Sequence, residues 1–428
     1  MLFPAICVTL LPLALAFPSH TKVKYDGHKV LEILHDTKAN FRKLQEMELK
    51  FDLDIWKSAK HVNDTMHVRV PPQHLDAFLG NLRDMNVQVS TLIEDVEELL
   101  QGSAHSMDHR RAIFSGDSGY DHTAYHGYEY IMKFLEFVQN DAKKSADVSA
   151  ELFTIGQSYE NRNLTGIRIF STVPGVRKKI FIDGAIHARE WISPAAINYL
   201  IDKLVYTAPA DIIVLLARYE IYLIPVLNPD GYEFSHTNTR MWRKNRNPRM
   251  SASCPGVDLN RNFPHQWNPA IGGSTNPCTD TYSGNNAASE PETQALVTYL
   301  KANDFFAYLT VHSYGQFWLF PWGYTSEYPT DRYELETAAN AGTNAMNRET
   351  RRKWIVGSST NALYAAAGGS DDFAKGDANI KYSYTLELPD AGRYGFLLPA
   401  TEIVDVGNEL LIGLIAFANH LHLNDVVG

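Results

Sequence analysis

The chain has 428 residues, 45% hydrophobic and 21% charged, with a formal net charge of −10. That length accommodates one large domain and a smaller one, and the apolar share is enough for a buried core. The acidic balance argues against nucleic acid as a main partner, because phosphate binding rests on clustered cations.

Residues 1–16 form an apolar run ending in Ala14-Leu15-Ala16, a small-x-small pattern too short to span a bilayer. It reads as a secretory signal, although only the α-amino group supplies positive charge ahead of it. No later stretch has the roughly 20 uninterrupted apolar residues of a membrane helix. Cys7 lies in the signal, so the mature chain keeps Cys254 and Cys278, which are expected to pair in an oxidising compartment. Asn63 and Asn163 each open an Asn-x-Thr sequon.

Residues 17–102 read as one small unit. HKVLEIL (28–34), LDIWKSA (53–59), TMHVRVP (65–71) and VQVSTLIED (87–95) are strand-like, and 38–51 has helical spacing. Pro72 opens a second helix with Leu75, Phe78, Leu79 and Leu82 on one face. The order β-α-β-β-α-β predicts a ferredoxin-like α+β unit. A helix then fades into a polar stretch holding Arg110-Arg111, the kind of segment in which proteolytic nicking concentrates.

From about residue 120, helical patterns alternate with the apolar runs KKIFIDGAI (178–186), YEIYLIPVL (219–227), FFAYLTVHS (305–313) and KYSYTLELP (381–389). These predict an α/β domain with a largely buried mixed sheet. Polar residues fall where these runs end: His187 after the first, His312 in the third, Glu387 in the fourth. Ligands of open α/β sheets gather outside the carboxyl ends of strands. His187 and Glu190 fall on a strand-to-helix turn, with Ser193-Pro194 read as N-cap and first helical position. A hydrolytic zinc site needs three protein ligands and an open position; His187 and Glu190 would supply two, and His312 is the best candidate for the third, although taken alone it reads as a strand-end histidine. Glu387 suits the general base, since a carboxylate in an apolar strand is costly unless it is paired or functional. The plain alternative is a buried salt bridge from Glu387 to Arg393.

The motifs HAREWISP, MWRKNR, DLNRNF, HSYGQ and ELPDAGRYGFLLP, collinear over 187–399, resemble the pancreatic-type (A/B) zinc metallocarboxypeptidases in precursor form. The resemblance implies the carboxypeptidase fold, a mixed eight-stranded sheet flanked by helices. It also implies one zinc ion per chain bound by His187, Glu190 and His312, with Glu387 as general base and proton donor. Arg243 would stabilise the oxyanion. Asn260 and Arg261 would grip the substrate's terminal carboxylate, and Tyr364 would close over its end residue. Arg189, Ser313 and Tyr314, with Arg240 nearby, would line the upstream subsite. Asp371, in AAAGGSDDF, stands where an acid favours Lys or Arg ends and an apolar residue favours aliphatic or aromatic ends. Gly323 would leave room there, and the apolar Leu319 and Leu363 are candidates to line it.

Two departures from the family pattern stand out. The segment DDFAKGDANIKY is one residue longer and places Lys375 where it could neutralise Asp371. Pro389 replaces an arginine two residues after the base, a change expected to loosen local pairing near Glu387 while leaving the base itself. The expected organisation is signal 1–16, activation segment 17–111, and catalytic domain 112–428 released by a trypsin-like cut after Arg111. The expected protein is a secreted, monomeric zymogen acting on peptide C-termini, with no membrane or nucleic-acid partner. The competing readings are apolar-end specificity, a small-acyl amidohydrolase, which the Asn260-Arg261 clamp disfavours, and an inactive peptide-binding relative. The last would be expected to lack a ligand, the base or Arg243.

Overall fold

A computed structural model describes residues 22–34, 37–59, 63–104, 119–143, 147–207, 209–248, 251 and 253–425. The signal and Arg110-Arg111 lie outside these. The N-terminal unit runs β1 (Lys29–Leu34), α1 (Lys38–Lys50), β2 (Asp54–Lys57), β3 (Thr65–Val70), α2 (Pro72–Asp84), β4 (Gln88–Ile93) and α3 (Val96–Ala104). Thr37 caps α1 by accepting from the Asn40 N–H at 3.1 Å, and Pro72 opens α2 where no intrahelical donor is needed. The sheet is antiparallel in the order β2-β3-β1-β4, as the ferredoxin-like pattern requires. Its alternation uses both faces. Leu31, Ile33 and Val68 pack on Phe78 and Leu82 of the helices. Val30, Trp56 and Ile93 instead join Met241, Phe396 and Leu397 of the large domain in a shared cluster.

The large domain comprises α4 (Tyr128–Ala142), β5 (Val148–Gln157), β6 (Asn163–Ser171), β7 (Lys178–Gly184), α5 (Ile192–Tyr206), α6 (Ala210–Arg218), β8 (Tyr219–Ile224), α7 (Pro229–Thr237), α8 (Pro291–Ala302), β9 (Ala307–Ser313), β10 (Phe317–Phe320), α9 (Arg332–Thr350), β11 (Ile355–Ser358), α10 (Ser359–Ala362), α11 (Ser370–Gly376), β12 (Tyr382–Leu388) and α12 (Ile403–Asp425). Its eight-stranded sheet has the order β11-β10-β12-β9-β7-β8-β6-β5. The centre, β12-β9-β7-β8, is parallel and corresponds to the four apolar runs; β6 and β10 flank it antiparallel. Strand periodicity sorts side chains to two layers. Ile180, Ile182, Leu309, Val311, Leu386 and Leu388 face the layer that includes α5, α9 and α12. Phe181 and Tyr308 face Leu296 and Leu300 of α8. His312 and Glu387 therefore share the second face, at the carboxyl ends of adjacent strands.

Candidate active site

The turn after β7 brings His187 and Glu190 in front of the sheet. Gly184 permits it, because a Cβ there would lie 2.5 Å from Ser193 Oγ and 2.6 Å from Ile197 Cδ1. Ser193 is not the N-cap expected from sequence. Helix α5 starts two residues earlier than that reading, at Ile192, with Trp191 as cap. The Ser193 hydroxyl donates to Val311 O at 2.6 Å and accepts from the Ala185 N–H at 3.1 Å, joining the ends of β7 and β9. Strand ends leave backbone groups needing such partners, and this demand outweighs capping here.

His187, Glu190 and His312 are all buried, and ligand-capable atoms on the three lie within 4.8 Å of one another. His187 Nδ1 is 2.7 Å from Glu190 Oε1, and His312 Nδ1 is 3.1 Å from both Glu190 Oε2 and His187 Nδ1. The outer ring nitrogens are held elsewhere. His187 Nε2 lies 3.1 Å from Asp258 Oδ1. His312 Nε2 lies 3.2 Å from Thr310 Oγ1, which donates to Asp183 Oδ1 at 2.8 Å. Outer partners of this kind fix the tautomer and leave both Nδ1 lone pairs facing inward. Two such lone pairs facing each other beside a carboxylate repel unless a cation sits among them. Tetrahedral zinc keeps nitrogen ligands about 3.3 Å apart, close to the observed spacing. The donor set therefore fits zinc.

Glu387 pairs with His312 in the ladder between β12 and β9. Its Oε2 is buried with no hydrogen-bond partner among the described residues. Burial, with Glu190 adding to it, pushes this carboxyl up to about 8 despite His312 and Arg243; a cation among the ligands favours its charged form. Arg393 does not pair with it, lying instead over the Tyr394 ring. Nor does Pro389 loosen the segment: the Asp390 carboxylate accepts from the backbone N–H groups of Gly392, Tyr394 and Gly395 at 2.9, 2.7 and 3.1 Å.

Asp258, in DLNRNF, is the residue that the sequence reading missed. Its Oδ2 accepts from Arg243 Nε and Nη2 at 3.0 and 2.8 Å, and its Oδ1 from the Asn260 N–H at 3.1 Å. One carboxylate thus aims His187, Arg243 and the turn bearing Asn260-Arg261. Burial alone would raise its pKa, but Arg243, His187 and Arg261 outweigh that and hold it well below the usual range. The available signal was an acid heading a turn two residues before the clamp. Arg261 is fixed by Gly272 O at 2.7 Å and Asn260 O at 3.0 Å, while Asn260 Oδ1 accepts from the Ser370 N–H at 2.9 Å. Tyr364 stands half-buried between α10 and α11. The loop carrying the clamp is closed by a disulfide between Cys254 and Cys278.

Asp371 lies buried in the first turn of α11 and accepts from Ser359 Oγ at 3.2 Å; burial raises its pKa. The Asp372 carboxylate accepts from the N–H groups of Gly323 and Tyr324. Lys375 does not neutralise Asp371, because it bonds Asp331 at 2.8 Å and Lys381 O at 3.0 Å. A Cβ on Gly323 would meet Ala366 O at 2.8 Å.

The upstream residues face the N-terminal unit. Arg189 Nη1 donates to Asp54 Oδ1 at 2.7 Å and Asp280 Oδ2 at 3.1 Å. The Tyr314 hydroxyl lies 2.9 Å from His67 Nδ1, and Trp56 packs on Phe396 with ring centroids 5.2 Å apart. Ser313 donates its N–H to Glu190 Oε2 at 3.2 Å. Arg240 lies beside them, donating to Arg189 O and Phe396 O at 2.8 and 2.7 Å and stacking on Trp191. Asn63 and Asn163 are exposed.

Two imidazoles and a carboxylate converging at the ends of parallel strands, beside an unpaired carboxylate, define a metallohydrolase. Residues 135–413 match the family model for zinc carboxypeptidases, and residues 31–103 match that for the carboxypeptidase activation peptide. Carboxypeptidase B of Astacus astacus is 40% identical over 70% of this chain and 97% of its own length. Carboxypeptidase A2 of Rattus norvegicus is 36% identical over 97% of this chain and 98% of its own. The solved structure of thrombin activatable fibrinolysis inhibitor superposes with a TM-score of 0.83 at 31% identity, covering 92% of this chain and 99% of that one. The chain belongs to the zinc carboxypeptidase family and, carrying the activation peptide, is a procarboxypeptidase. Among the described residues, no helix is long and apolar enough to cross a membrane.

Proposed function

We propose that this is a secreted zymogen whose mature form, released by a trypsin-like cut after Arg111, removes Lys or Arg from peptide C-termini. Its site residues are His187, Glu190 and His312 for zinc, Glu387 as base, and Arg243, Asn260, Arg261 and Tyr364 on the substrate. The observation that carries the end-residue preference is Asp371: a buried carboxylate at the pocket, with Lys375 engaged elsewhere, leaves an apolar guest facing an unpaired acid. Relatives named both A and B lie at similar distance, so their names do not choose between preferences.

Bound zinc supplies Lewis acidity, polarising the scissile carbonyl and lowering the pKa of a water. The residues of the chain do the rest. Arg261, with Asn260, holds the terminal carboxylate and thereby selects a chain end. Glu387 takes the proton of the attacking water and passes it to the departing amine. Arg243, aligned by Asp258, presents its guanidinium to the developing oxyanion. Tyr364 closes over the end residue. The Asp54–Arg189 and His67–Tyr314 contacts support a pro-segment that occupies the upstream subsite.

Trypsin-treated protein should release Arg from a peptide end in preference to Leu or Phe, with loss in chelator and recovery with zinc. Preferential Leu or Phe release would reject the role of Asp371. No release from any peptide would reject the exopeptidase assignment of these residues.

A further inference from the structure

One imidazole outside the catalytic cluster touches both α11's C-terminal end and the Trp322–Tyr324 turn. His265 Nδ1 lies 2.8 Å from Oδ1 of Asp377, the residue capping the C-terminus of α11. The His265 ring stacks on Trp322, with centroids 5.2 Å apart at 22°, and meets Tyr324 edge-on at 5.6 Å. Trp322 and Tyr324 flank Gly323, whose N–H is bonded by Asp372 at 2.9 Å. Helix α11 carries Asp371 and Asp372 in its first turn and meets His265 at its last. The fit is close: a Cβ on Gly376 would lie 2.2 Å from His265 Cε1. Two residues after Asp377, Asn379 takes a left-handed conformation at φ +57°.

A helix of seven residues gains little from its own hydrogen bonds and is held by tertiary contacts. Two consecutive buried carboxylates repel each other at one end of α11, so an anchor at the other end has a mechanical task. We propose that the His265–Asp377 pair is a latch fixing α11 against the Trp322–Tyr324 turn, and so positions the pocket that selects the end residue. The pair does not touch the substrate. The inference rests on the reading of Asp371 as the acid of that pocket.

The test uses the zinc-loaded, trypsin-activated enzyme and peptides differing only in an Arg or Ala end. A long end residue must reach the Asp371 region, whereas Ala does not. His265→Ala is expected to raise KM for the Arg peptide roughly tenfold, since ångström-scale misplacement of a binding group costs one to two decades. Its kcat should stay within about twofold, and kcat/KM for the Ala peptide should be unchanged. Asp377→Ala should do the same, and its side chain is 32% exposed, so this variant keeps the test open if His265→Ala fails to fold. The double variant should be no worse than either single one. His265→Phe, keeping the stack without the hydrogen bond, should recover part of the loss. An unchanged Arg-to-Ala ratio in the latch variants, or an equal fall for both peptides, overturns the latch. Asp371→Asn separates the two ideas. If it leaves the ratio intact, the pocket reading fails; if it collapses the ratio while the latch variants do not, only the latch fails.

Discussion

The zinc-ligand cluster and the upstream rim share one cleft but are held by different parts of the chain. His187 leans on Asp258, His312 on Thr310 and Asp183, and Glu190 on the Ser313 N–H, all within the large domain. Arg189, Tyr314 and Phe396 instead meet Asp54, His67 and Trp56, all in the removable segment. On the function proposed above, the catalytic groups are assembled before activation and cleavage changes only access, so inhibition by occupancy would leave the costly part, a cluster of buried polar groups, undisturbed.

The largest effect that sharpens this contrast is Glu387→Gln in the activated enzyme. It should lower kcat about a thousandfold while metal analysis still finds one zinc per chain. A variant that turns over normally would remove Glu387 from the mechanism. Next is Asp54→Ala in a chain made uncleavable at Arg110-Arg111. Losing one partner of a buried pair costs about 3 kcal/mol or more; here Arg69 loses the carboxylate it pairs with and Arg189 keeps only Asp280. Activity of the uncut chain should rise on the order of a hundredfold; if it stays at background, the rim contact is not what holds the segment down.

Acid should act in the same direction. His67 is lowered from 6.5 to about 4, by burial first and then by Lys57, against Glu32 and Asp390, which raise it; Tyr314 is the remaining neighbour. Lys57 and Glu32 stay with His67 when the segment leaves, so docking contributes the burial against the large domain; to that extent the docked form binds fewer protons, and docking should weaken as pH falls from about 6.5 toward 4. The Asp54 carboxyl is held below its ordinary value because Arg189 and Arg69 outweigh the opposing effect of burial, so its contribution fades only below the usual carboxylate range. Hydrogen exchange across 53–57, corrected for intrinsic rates, should show this trend, and His67→Gln should flatten it; a flat wild-type profile contradicts it. The smallest effect lies behind the cluster. Thr310→Val or Asp183→Asn should weaken zinc binding about tenfold to a hundredfold in chelator competition, with pro-segment docking untouched. Equal loss of both would mean that the two regions are not independent.

Much of the cluster was legible because it sits on strands buried on both faces, which read as unbroken apolar runs; a His or Glu within such a run stands out. Strands β5 and β6 are half-exposed and β10 and β11 only four residues long, so none read clearly. Asp258 was hidden because its meaning lies in three partners distant in sequence or in the turn it heads. Asp54 and His67 sat on correctly read strands, but period-2 alternation does not say which face a second domain will cover. His265 and Asp377, 112 residues apart, had no local signal at all.

Glu387 and His312 sit on facing rungs of neighbouring parallel strands. Their separation is therefore quantised by the pleat and cannot be adjusted by degrees. A one-residue slip of β12 would not shift the base slightly; it would turn it through the sheet and bring Leu386 or Leu388 to the metal's side. Variation in this scaffold is thereby channelled into loops and barred from the ladder itself.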